Sequence, residues 1–381
     1  MIARLIKKKE YLLILGTVFL MLIYFILATP AMNDDGFHYE GFAESLAGGK
    51  LDFKSFYGFQ GLSFFAVPIF WLTHSKISII IASAIFSLLS LPLAYLIGRD
   101  FYESKKSGVS FLILFLLTPF PYTTMMRGFQ EAALLFFILL IIYASIRKKI
   151  WAPITWAIGG IVKPFSLVLF PLFIKDFVSK PFNGIQGKKI IWLLVSFFIG
   201  GAYLGMSYYQ TGHLVNNAAI GSYGGNFNTG NPPPLFESFN FGIKGFLRVG
   251  ANLLLSYRKI MISPLVVLIG AFYLFMNKSF RMRKEILAAI ILNILLVGSF
   301  TFSFSKYLLP MTTLLSLAAV PVLIRKNWLM MLVFADSFFV FLPMWNYFGV
   351  DFWPNIRTYL LPFYCAGILF LFNLKNRNIA N

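Results

Sequence analysis

The sequence predicts an all-α polytopic membrane protein, and three observations predict it. Over 381 residues the chain is 59% hydrophobic and 12% charged, with a mean hydropathy of +0.77, whereas soluble domains are roughly 45–50% apolar. Eleven apolar runs are long enough, or nearly so, to cross a hydrocarbon layer that takes roughly 20 helical residues. Lysines and arginines sit between these runs, so the formal charge of +19 reads as anchorage to an anionic inner leaflet and not as a nucleic-acid footprint. A water-soluble globular class is excluded. The single cysteine, Cys365, excludes an intrachain disulfide and a multi-cysteine metal centre.

Taken in order, the first run, 11–28, follows Arg4, Lys7, Lys8 and Lys9 and is too long for a typical cleavable signal. It predicts an uncleaved anchor with its N-terminus cytoplasmic. Further runs lie at 77–97, 108–124, 130–146, 151–176, 190–209, 263–277, 286–302, 307–324, 328–345 and 357–374. The run at 151–176 decides the topology. Gly159-Gly160 and Lys163-Pro164 interrupt it, which permits one span or a hairpin of two short helices meeting near Lys163. As a hairpin it leaves twelve downstream basic residues inside: Lys175, Lys180, Lys188, Lys189, Lys278, Arg281, Arg283, Lys284, Arg325, Lys326, Lys375 and Arg377. Six stay outside: Lys244, Arg248, Arg258, Lys259, Lys306 and Arg357. One unbroken span would invert these counts, so the positive-inside rule selects the hairpin. The expectation is a single integral membrane domain over 1–381 with about 12 helical segments, both termini cytoplasmic and no soluble domain. Residues 29–76 and 210–262 form two large extracytoplasmic loops, the second with the turn-rich core GSYGGNFNTGNPPP.

Polar chemistry gathers on the outer side. Of 14 acidic residues, eight fall there: Asp34, Asp35, Glu40, Glu44, Asp52, Glu131, Glu237 and Asp351. The adjacent Asp34 and Asp35 precede a segment in which Tyr39, Phe42, Ala43 and Leu46 recur at i, i+3, i+4 and i+7. That spacing predicts a short amphipathic helix lying on the membrane surface. One aspartate could simply cap that helix. Two neighbouring carboxylates also repel, which raises the pKa of one and suits it to act as a base toward a hydroxyl or amine.

The basic candidates are fewer. Arg127 and Glu131 flank the outer start of the fourth helix, where an i, i+4 interfacial ion pair is the plain reading. Lys163 adjoins a proline-broken helix inside apolar sequence, the arrangement found where backbone lines a cavity, and its insertion cost of roughly 2.5–3.5 kcal/mol argues for function. Lys306 closes FSFSK, and Arg258 lies in SYRKIMISPLVV. Asp336, inside LVFADSFFVF, is a candidate because intramembrane acids are costly, or it is neutral and bonded to a neighbouring helix. His38, His74 and His213 are too scattered for a metal cluster. His38 alone lies near the acidic pair, and a surface histidine is the simpler reading of it.

The order of anchor helix, acidic pair, surface helix and apolar helix resembles the GT-C glycosyltransferases, particularly relatives of protein O-mannosyltransferases and lipid A aminoarabinose transferases. NDDGFHYEGFAESLAGGKLDF is similar to the family's acidic stretch, GLSFFAVPIFWL to its next juxtamembrane helix, and MMRGFQEAALLFF to its Arg-then-acid helix start. IGGIVKPFSLVLFPLFI is similar to its Lys-Pro segment, SYRKIMISPLVV to its second outer juxtamembrane stretch, and SFSKYLLPM to its Arg-Tyr-Leu-Leu-Pro, with Lys306 where arginine is usual. The patches cover roughly 30 to 320.

The resemblance implies a GT-C-like bundle that transfers a sugar, a hexose in the mannosyltransferase-like reading. The donor it implies is a polyprenyl phosphate, the acceptor a protein, lipid or glycan outside the membrane, and the outcome inversion. It implies that Asp34 or Asp35 takes the acceptor's proton while Arg127, Lys163 and Lys306 hold the leaving phosphate. His38, Glu131, Arg258 and Asp336 are secondary candidates. No nucleotide site is required, no metal ligands are assigned, and a divalent cation at the paired carboxylates stays open. A transporter or lipid flippase is the rival class, with Asp336 and Lys163 as its coupled pair. A non-catalytic scaffold of the same fold is a third reading.

Overall fold

The computed structural model describes residues 9–27, 32, 34–56, 58–118, 128–178, 184–214, 247, 263–299, 308–347 and 361–378. Every regular element among them is helical. α1 (Lys9–Leu27) is followed by two shorter helices, α2 (Asp34–Ala47) and α3 (Gly61–Thr73), and then by the longest of the first half, α4 (Ser78–Tyr102). α4 pairs with α5 (Lys105–Leu116) and α6 (Glu131–Ile146). The α4–α5 crossing is close because glycine faces it from both sides. A β-carbon on Gly98 would lie 2.6 Å from the Ser107 carbonyl oxygen, and one on Gly108 would lie 2.8 Å from the Tyr95 ring. The turn between them is local chemistry: Glu103 takes the left-handed conformation at φ 55°, and Ser104 caps α5 by accepting from the Ser107 amide. That cap starts α5 three residues earlier than hydropathy indicates.

The segment 151–176 reverses direction. α7 (Ala152–Val162) ends at Lys163, whose extended backbone is the conformation that Pro164 imposes on the residue before it. A 3-10 helix, Pro164–Leu169, and α8 (Pro171–Val178) lead back. Trp156 Nε1 donates to the Leu167 carbonyl at 3.0 Å, and Lys148 lies 3.9 Å from Asp176. Both ends of the hairpin therefore share one end of the bundle.

α9 (Gly184–Thr211) packs on α7 and leaves much of its length exposed, including Phe198 and Tyr209. α10 (Pro264–Met276) lies against α12 (Leu309–Arg325), so closely that a β-carbon on Gly270 would overlap the Leu315 carbonyl. α11 (Arg283–Ser299) contacts α8 and α12, α13 (Asn327–Tyr347) contacts α10 and α12, and α14 (Leu361–Asn378) contacts α1 and α5. One buried apolar core runs through all of this, and a small aromatic cluster of Phe42, Phe53 and Tyr203 lies beside it.

Two described helices, Ser78–Tyr102 and Lys188–Thr211, are long and apolar enough by themselves to cross a membrane; the other apolar helices are shorter. The 13 residues of α10 reach about 20 Å at 1.5 Å per residue, against a hydrocarbon layer of about 30 Å. The apolar runs read from hydropathy thus appear as helices of uneven length, such as the 25 residues of α4 and the 13 of α10.

Charge pairs gather where α1 begins, α4 ends, α5 begins and α6 ends. Glu10 meets Lys105 at 2.5 Å, Asp100 meets Arg99 and Arg147 at 2.7 Å, and Lys175 meets Glu285 at 3.2 Å. We call this the basic end.

Candidate functional site

At the opposite end, α2 begins at Asp34, so the acidic pair occupies its first turn, where the helix macrodipole favours anions. The predicted apolar face is real: Tyr39, Phe42 and Ala43 are buried. Three hydrogen bonds help hold this helix in place. Ser63 Oγ donates to the Tyr39 carbonyl at 2.8 Å, tying α2 to α3. Glu40, almost wholly buried, accepts from Ser78 Oγ and from the Ile79 amide, both at 2.7 Å. Its carboxylate thereby caps α4. Burial pushes the Glu40 pKa up, against the lowering effect of the Ser78 and Ile79 bonds.

The turn before α6 reaches the same place. Gly128 is left-handed at φ +69°, and a β-carbon there would lie 2.7 Å from Ile79 Cγ2 and 3.6 Å from Gly36 Cα. Glycine is the residue that fits both the conformation and the space. The backbone one residue after Arg127 therefore abuts the backbone one residue after Asp35. Ser83 Oγ also donates to the Phe129 carbonyl at 3.2 Å, fixing this turn to α4.

Below it, Lys163 and Glu131 form an ion pair between the break in the hairpin and the first residue of α6. Their side chains are 13% and 2% exposed, so the charges attract in a medium of low effective dielectric. Gln130, wholly buried, donates through Nε2 to the Phe59 carbonyl. The amide of Gln60 donates to Tyr203 Oη at 2.9 Å. A β-carbon on Gly61 would overlap the backbone of Val162, the neighbour of Lys163. The start of α2, the 128–131 turn, the 59–61 turn and the Lys163–Glu131 pair are thus contiguous. An acid-base group at one edge and a buried cation at the other is a set able to move a proton and to balance charge on a departing oxyanion.

The structure brings Lys163 and Glu131 together across 32 residues of chain; the i, i+4 pairing of Glu131 with Arg127 falls on a residue outside the described ones. His38 is half-buried, with its ring 5.1 Å from that of Phe56, so it packs under the 51–60 loop. Asp336 caps a helix elsewhere: it accepts from Ser263 Oγ and from the Leu265 amide at the start of α10. Arg127, Lys306 and Arg258 lie outside the described residues. No group of three or more His, Cys, Asp or Glu able to hold a metal occurs among the described residues. Sequence reasoning missed the roles of Glu40, Gln130, Gly61 and Gly128. A buried glutamine beside a glutamate at the head of an apolar run was the available signal for Gln130; the others depend on contacts between distant segments.

No protein-family profile and no curated protein matches this chain. Solved structures do. ArnT from Cupriavidus metallidurans bound to undecaprenyl phosphate superposes with a TM-score of 0.60 at 12% identity, over 95% of this chain and 74% of that one. The chain has the ArnT fold. The apo ArnT structure from the same organism gives 0.59 at the same identity and coverage. The family resemblance carried by the sequence patches is therefore matched by an ArnT-like arrangement of nearly the whole chain, at an identity that speaks to fold alone.

Proposed function

We propose that this chain is a membrane glycosyltransferase that moves a sugar, a hexose in the mannosyltransferase-like reading, from a polyprenyl-phosphate donor to an acceptor on the extracytoplasmic side, with inversion. One observation supports the reading: in an ArnT-like fold, the helix that begins with Asp34-Asp35 abuts the 128–131 turn, which leads to the buried Glu131–Lys163 pair. The undecaprenyl phosphate bound by ArnT supports the donor class. The basic end faces the cytoplasm in this reading, as the positive-inside rule requires, and the acidic pair faces out. The exposed apolar girdle, Phe19, Phe198 and Phe272 included, faces lipid.

In the proposed step the acceptor hydroxyl oxygen attacks the anomeric carbon, its proton passes to Asp34 or Asp35, and the bond from the anomeric carbon to the phosphate oxygen breaks. Its electron pair leaves on polyprenyl phosphate. Lys163, held by Glu131, and with it Arg127 and Lys306, stabilise that charge where low dielectric strengthens the attraction. The acceptor is a protein, lipid or glycan. The transporter reading needs Asp336 and Lys163 as a coupled pair, whereas the described partners are Ser263 for one and Glu131 for the other.

The test is release of labelled sugar from polyprenyl-phosphate hexoses by the full-length protein in lipid. Asp34→Asn or Asp35→Asn should abolish transfer while thermal stability stays close to wild type. Full activity in both variants would remove the pair from the chemistry.

A further inference from the structure

Gln130 stands immediately before Glu131 at the head of α6, and its side chain is wholly buried. A primary amide offers two N–H donors on one atom and an acceptor oxygen on the other, and its neighbours decide which end lies where. The Phe59 carbonyl can only accept, so it takes Nε2 and leaves Oε1 as the other end of the amide. That oxygen has no hydrogen-bond partner among the described residues. The donors of the adjoining turn are engaged elsewhere: the Gln60 amide gives to Tyr203 Oη and Ser63 Oγ to the Tyr39 carbonyl. Roughly 90% or more of buried polar groups in proteins are paired, so this exception points to a donor that comes from outside the chain.

The turn that Gln130 grips runs directly to the buried cation. A β-carbon on Gly61 would stand 2.4 Å from Val162 Cα, and Lys163 follows Val162 and pairs with Glu131. The orphan oxygen and the ammonium thus belong to one small polar group around the head of α6. We propose that Gln130 Oε1 accepts a hydrogen bond from a hydroxyl of the sugar on the donor and so helps to select that sugar. The proposal rests on the sugar-transfer reading, in which Lys163 holds the phosphate: the sugar is joined to that phosphate, so its ring lies among the groups that flank Lys163. The phosphodiester of the donor carries no proton to give, whereas a sugar ring presents O–H donors in fixed directions. A site built on such a bond discriminates against an analogue without the hydroxyl, because only the complete sugar pairs the oxygen.

Equilibrium binding to the full-length protein in lipid nanodiscs tests it. The ligands are polyprenyl-phosphate mannose, polyprenyl-phosphate glucose, the monodeoxy analogues of each, and polyprenyl phosphate without sugar. One monodeoxy analogue of the better-bound hexose should bind about 10- to 100-fold more weakly than its parent. In Gln130→Met, which keeps the bulk of the side chain without its oxygen, the parent should weaken by the same factor. That analogue should bind the variant as it binds wild type, and polyprenyl phosphate should be unaffected. Uniform binding across the monodeoxy series in wild type overturns the proposal whether or not the variant folds. Equal weakening of every ligand in Gln130→Met overturns it too, leaving the glutamine a brace for the 59–61 turn, as does polyprenyl phosphate that binds as tightly as both hexose donors. Sugar release is scored separately: discrimination without release keeps this contact and sinks the transfer reading, and release without discrimination does the opposite.

Discussion

Lys163 and Glu131 illustrate how one contact serves stability and chemistry at once. Removing one member of a buried ion pair strands the other, at a cost of about 3–5 kcal/mol, whereas replacing both by apolar residues of similar size is close to neutral. Lys163→Met should therefore unfold at a markedly lower temperature, and the double variant Glu131→Leu with Lys163→Met should recover most of that loss without recovering sugar transfer. Activity returning together with stability would leave the lysine a purely structural part. Glu40 gives a second residue-level expectation. Its pKa is raised by burial, so its contribution is fully present below the ordinary carboxylate range and is lost as pH rises through the raised folded value. Melting temperatures from about pH 4 to pH 7 should fall for wild type relative to Glu40→Gln. Parallel curves would mean that the carboxyl titrates alike in the folded and unfolded chain.

At the scale of elements, glycine marks where helices touch and where they do not. Gly270→Ala should destabilise by about 1–3 kcal/mol, the range for overpacking, because the new methyl meets the Leu315 backbone. Gly200→Ala on α9, which has nothing within 4 Å, should be neutral or stabilising by up to about 1 kcal/mol through helix propensity. Thermal unfolding of the two variants side by side checks both, and equal effects would contradict the packing described. Local rules made several elements legible in advance. The Lys163-Pro164 break, the amphipathic spacing after Asp35 and the order of the apolar runs each follow from residues within one or two turns. The start of α5 was also legible, since Ser104 before Lys105 is a capping signal that hydropathy averaging conceals. What could not be read is what joins segments far apart: Glu131 with Lys163, Glu40 with the head of α4, and Asp336 with the head of α10. No spacing rule links residues 32, 38 or 73 positions apart.

For the whole molecule, the reading that the basic end is cytoplasmic has a direct check. Ser279, in the turn before α11, and Ser75, in the turn before α4, lie at opposite ends of the bundle. Cysteine placed at Ser279 should react with a membrane-impermeant maleimide only from inside, and cysteine at Ser75 only from outside. The native Cys365 is buried, so it gives no background, and reversed labelling would invert the topology. The bundle also holds its peripheral helix by an uncommon fastening. Gln210 near the end of α9 accepts from the Phe53 amide at 2.8 Å and donates to the Leu51 carbonyl at 2.7 Å, as the edge of a neighbouring strand would. If α9 swings outward to admit a long isoprenoid tail, the bond from the Phe53 amide to Gln210 breaks. Faster deuterium uptake at Phe53 when donor lipid is added is then the expected sign of the swing, and unchanged uptake would mean that α9 keeps its place.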